Sequence, residues 1–105
     1  MADIDADRER LGRLCDRLRS MAEPALTRPR EQLEGQSVAT AVHELCTWAA
    51  AAMGVAGPVP VLHPFATGDQ LTVIGREFLD WCAASDDEAV LRNWRAWIDR
   101  LRAAT

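Results

Sequence analysis

The pair His43-x-x-Cys46 sets an imidazole and a thiol one helical turn apart, a spacing from which two ligands can reach one metal ion. With Cys15 and Cys82 added, the residue types of a tetrahedral zinc site are all present. The positions of the cysteines argue the other way. Each follows an apolar residue (Leu11, Val42 or Phe78) by four positions, so each falls on an apolar helical stripe as a small buried side chain. Three cysteines without a C-x-x-C pair read as reduced thiols. A di-iron carboxylate site needs Glu-x-x-His pairs, and neither His43 nor His63 has a glutamate three residues before it. No metal and no cofactor is expected.

Acid–base or nucleophilic catalysis requires polar groups that converge. Glu44, Glu77, Asp80 and Asp99 instead lie opposite the apolar stripes of their helices, and the charged run from Asp3 to Arg10 reads as a solvated face. No G-x-S-x-G, P-loop or dinucleotide fingerprint occurs, and the chain is expected not to be an enzyme. Arg92, Asn93 and Arg95 project from one helix, as a DNA-recognition helix requires. Around them, however, Arg92, Arg95, Arg100 and Arg102 are balanced by Asp86, Asp87, Glu88 and Asp99. A DNA reader carries a net basic footprint, and this chain carries a net charge of −4, so no nucleic-acid partner is expected. The tryptophans at 48, 81, 94 and 97 all fall on apolar arcs and read as core.

These side chains are positioned by four amphipathic segments. In the first, Ile4, Leu11, Leu14, Cys15, Leu18 and Met21 share an arc of about 120°, Asp3 or Asp5 can cap the start, and Pro24 stops the helix near Ala22. In the second, Val38, Val42, Leu45, Cys46, Trp48, Ala49, Ala52 and Met53 share a wider arc, while Leu33 points the other way. The reading adopted is one helix over residues 29–53, bent at Gly35-Gln36-Ser37; the alternative is two short helices meeting there. A segment containing Pro58, Pro60 and Pro64 follows, and its Val59, Val61, Leu62 and Phe65 are apolar enough that it should pack across the domain. Thr67-Gly68-Asp69-Gln70 and Ser85-Asp86-Asp87-Glu88 have the form of capping boxes and open the third and fourth helices. The third buries Leu71, Ile74, Gly75, Phe78, Trp81 and Cys82; the fourth buries Val90, Leu91, Trp94, Trp97, Ile98 and Leu101.

With no alternating strand pattern, the fold class is all-α: a four-helix bundle, mostly antiparallel, with a Pro-rich crossing segment between the second and third helices. A chain of 105 residues, 49% apolar and 27% charged, suits a single domain over residues 1–105. The acidic N-terminus and the short apolar runs predict a cytoplasmic protein with no membrane partner. What stands out of register is Val73, an apolar residue on the polar side of the third helix, just after His63 and Phe65 of the crossing segment. His63, Phe65 and Val73 are the candidate interaction surface; the alternative is that the crossing segment folds over Val73 and forms a local cap. The expected function is a non-enzymatic protein–protein interaction or self-association module, a homodimer in its simplest form. The alternative is a small-ligand-binding or regulatory bundle, which requires a cavity lined by the tryptophans.

Overall fold

The computed structural model describes residues 4–105 and is all-helical, with no strand among them. Its five α-helices are α1 (Ile4–Ser20), α2 (Glu23–Thr27), α3 (Val38–Ala52), α4 (Thr67–Ser85) and α5 (Glu88–Ala104). Two 3₁₀ turns, Glu31–Leu33 and Pro64–Ala66, complete the helical structure. No described helix is long and apolar enough to cross a membrane.

Helix α1 ends at Ser20, and the chain makes an unforeseen short helix directly after it. Pro24 sits in the first turn of α2, where a missing N–H removes no intrahelical bond. The proline that stops one helix therefore starts another, and it delivers Leu26 to the core at 1% exposure. At the start of α1, Asp5 lies inside the first turn, where its charge suits the helix dipole. The alternative cap, Asp3, lies outside the described residues.

Residues 29–53 are not one bent helix. Arg30 and Gln36 close a small loop through Arg30 N to Gln36 O (2.9 Å) and Gly35 N to Arg30 O (2.9 Å). Glu34 and Gly35 both take positive φ, which ends helical propagation. The physical reason is Leu33, which a continuous helix would point at solvent. The loop turns it inward, and it is buried. Ser37 then caps α3 by accepting from Thr40 N at 3.1 Å.

The third and fourth helices differ from expectation in their caps. Helix α4 starts at Thr67, but no side chain caps it. Thr67 Oγ1 donates to Pro64 O (2.6 Å) and Gln70 Nε2 to Pro60 O (2.8 Å), so the capping-box residues hold the preceding segment instead. Helix α4 runs on through Ser85, Asp86 turns left-handed, and Asp87 is the cap of α5, accepting from Val90 N at 3.2 Å. The last helix thus begins at Glu88, three residues after the serine that the motif selects.

The core is one cluster. Phe78 stands at its centre, with the rings of Trp94, Trp48 and Trp81 at centroid distances of 4.8, 5.4 and 6.0 Å. Helix α4 packs chiefly on α1 and α3, and α5 on α3 and α1, while α4 and α5 touch little despite their two-residue link. Gly75 is what lets α4 approach: a Cβ there would stand 2.8 Å from Leu11 Cδ2 and 3.1 Å from the Trp94 ring. Arg30 ties the periphery together, donating from Nη1 to Ala104 O at the end of α5 (3.0 Å) and from Nη2 to Ala25 O in α2.

Candidate functional site

The crossing segment, residues 53–66, is held on the body by side chains rather than by backbone ladders. His43 of α3 donates from Nε2 to Val59 O (3.0 Å), and Gln70 of α4 donates to the adjacent Pro60 O (2.8 Å). Two neighbouring carbonyls are thus clamped from two helices, which compensates for the donors that proline removes. Val59 packs against the core. Beyond it the expectation of close packing fails: Val61 is 82% exposed, Phe65 63% and Leu62 47%.

His63 and Phe65 are brought together. Phe65 N donates to His63 Nδ1 at 3.2 Å, and the two rings stack at 5.0 Å between centroids. Because Nδ1 accepts, a neutral His63 carries its proton on Nε2, the atom that faces Glu23 Oε1 at 3.9 Å. Val73 is not part of that stack. It lies about 9 Å further along the α4 axis from Thr67, and it is 59% exposed, so the crossing segment does not cover it.

The crossing segment itself carries no charged residue, although Glu23 approaches His63 from α2. No Asp, Glu, Lys or Arg occurs between Glu44 and Asp69. Beside the crossing segment lies a recess of about 510 Å³, with Val61, Leu62 and Pro64 on one side and Thr40, His43 and Gln70 on the other. The same uncharged stretch supplies Val61, Leu62, His63, Pro64 and Thr67 of its lining.

The metal-ligand residues do not converge. His43 Nε2 is spent on Val59, Cys46 is completely buried, and no group of three metal-ligating side chains forms among the described residues. All three cysteines are free and buried. Burial pushes the Cys46 thiol up to about 12 and the Cys82 thiol up to about 11, so both stay protonated and poorly nucleophilic. Trp48, Trp81 and Trp94 surround the Phe78 ring, Trp94 also lines a recess of about 340 Å³ with Asp7, Arg10 and Arg95, and Trp97 lies under the Arg100 guanidinium, 4.4 Å away.

One polar group contradicts the solvated-face reading of residues 3–10. Asp7 is 3% exposed, and both its oxygens accept from Arg95, Nε to Oδ1 at 2.9 Å and Nη2 to Oδ2 at 2.7 Å. Arg10 adds a longer contact of 3.4 Å. Arg95 is thereby turned away from the outward-facing group it would form with Arg92 and Asn93 on a recognition helix. A signal for Asp7 exists in the sequence: it stands four residues before Leu11 and seven before Leu14, in the middle of the apolar stripe.

No protein-family model, curated protein or solved structure matches the chain.

Proposed function

We propose that this chain is a non-enzymatic protein–protein interaction module that self-associates as a homodimer through the crossing segment and the outer face of α4. In this reading α1, α3, α4 and α5 form a four-helix bundle whose role is to mount that surface rigidly. The module acts in the cytoplasm, without cofactor, nucleic acid or membrane.

The observation that carries the proposal is the placement of exposed apolar side chains. Among the described residues the large ones are Val55, Val61, Leu62, Phe65 and Val73, all within one stretch of the chain. Exposed apolar groups of this size favour burial against a partner. A two-fold dimer sets each residue of the patch against a different residue of the partner's patch except near the axis, so an uncharged patch needs no charge complement to pair with itself. The crossing segment carries no fixed charge, which suits pairing with a second copy despite the net −4 of the chain.

Sedimentation equilibrium over a wide concentration range tests the proposal. The apparent mass should climb from that of one chain toward that of two, and Val61→Glu should hold it at one. A wild-type chain that stays monomeric at the highest concentration would refute self-association.

A further inference from the structure

The recess of about 340 Å³ that Trp94 shares with Asp7 lies between α1 and α5, and none of its lining belongs to the crossing segment. Trp94 and Ile98, at 1% and 3% exposure, are its apolar floor. Three guanidiniums line it, that of Arg10 from α1 and those of Arg95 and Arg102 from α5, against the two carboxylates of Asp7 and Asp99. Asp7 and Arg95 neutralise each other, because both oxygens of the buried carboxylate accept from that one arginine at 2.9 and 2.7 Å. What is left is Arg10, Arg102 and Asp99, an excess of one positive charge in a chain whose net charge is −4.

The two remaining guanidiniums are poorly matched to partners inside the molecule. Arg10 Nη1 reaches Asp7 Oδ1 only at 3.4 Å, and that oxygen already accepts from Arg95 Nε. Arg102 Nη1 stands 4.0 Å from Asp99 Oδ1, beyond hydrogen-bond reach. A guanidinium carries five donors in a planar fork that fits the paired oxygens of a carboxylate or phosphate. It also gives up water more readily than an ammonium does. The geometry points to a binding site for a small oxyanion, a carboxylate or phosphate group held between Arg10 and Arg102. Asp7 contributes indirectly: with Arg95 filling both its oxygens, it leaves Arg10 available to a ligand. The site is independent of self-association.

Titration with sodium phosphate and, separately, with sodium acetate at neutral pH and constant ionic strength, followed by NMR, tests the site. Saturable shifts should centre on Arg10, Trp94 and Arg102, and the tighter-binding salt identifies the group the site prefers. Arg102→Gln should weaken binding by about tenfold, the worth of one charge-assisted hydrogen bond. Asp99→Asn removes the competing carboxylate and should tighten binding. Positions 99 and 102 are exposed, so circular dichroism of both variants should match wild type. A response to both salts no larger than that to sodium chloride would overturn the site. So would an affinity unchanged in Arg102→Gln or weakened in Asp99→Asn.

Discussion

Arg95 of α5 grips Asp7 of α1 through two parallel hydrogen bonds of 2.9 and 2.7 Å, with the carboxylate side chain only 2% exposed and the guanidinium 40% exposed. The two partners are therefore not equivalent. An arginine deprived of its carboxylate can swing into water, whereas the carboxylate has nowhere to go. Arg95→Ala should cost about 3–5 kcal/mol, because it strands a buried charge with only the distant Arg10 contact. Asp7→Ala should cost less, about 1–3 kcal/mol. Urea denaturation of the two variants checks the order, and equal losses would show that the pair behaves as a surface bridge.

Two glycines in helices should respond to alanine in opposite directions. At Gly75 the new methyl meets Leu11 and Trp94 inside the core, and overpacking should lower stability by about 1–3 kcal/mol. At Gly12 nothing lies within 4 Å, so Gly12→Ala should raise stability by up to about 1 kcal/mol through helix propensity alone. Thermal melts of both variants suffice. A stabilised Gly75→Ala would mean that α1 and α4 are not held at this separation.

Val73→Glu separates surface from cover. The side chain is exposed, so the melting temperature should hardly move, with a change within about 0.5 kcal/mol. Association measured by light scattering should disappear. A lowered melting point with unchanged mass would show that Val73 serves the fold instead.

The thiols give a pH dependence with a definite sign. Their ordinary value is 9.0, and burial raises Cys46 to about 12 and Cys82 to about 11. Above pH 9 the unfolded chain releases these protons while the folded chain retains them, so rising pH favours unfolding. Their contribution to stability is complete below pH 9 and is lost as pH climbs toward the folded values. The melting temperature should fall between pH 9 and 11, and fall less in Cys46→Ala. Alkylation near neutral pH should require unfolding.

The long helices were legible in the sequence because each carries one apolar stripe at helical period, and the structure buries Leu11, Leu14, Phe78, Trp94 and Ile98 as that period predicts. What stayed hidden depends on contacts far apart in the chain. Asp7 could be noticed on the stripe, but its partner lies 88 residues away, and no local pattern joins them. The break before α3 has the same origin, since only the tertiary position of Leu33 decides that the chain must fold back at Gly35. The two capping motifs marked the helix starts closely, yet the hydrogen bonds formed were others, because Thr67 and Gln70 had the loose carbonyls of Pro64 and Pro60 within reach. Of the candidate surface, the sequence identified Val73 by its register. It did not reveal the recess, which exists only where the crossing segment meets α3.

The packing order has a consequence for how the molecule can be divided. Helices α1 to α3 precede the crossing segment and α4 and α5 follow it, but the principal packing pairs, α1 with α4, α3 with α4 and α3 with α5, all join one side to the other. Neither half owns a core. A cut within residues 54–57 should therefore yield two fragments that are each disordered alone and that regain helix when mixed. During synthesis, the first half would have to wait for α4 to emerge before its apolar faces find cover. The crossing segment then acts less as a linker between finished parts than as a tether that raises the local concentration of one half around the other.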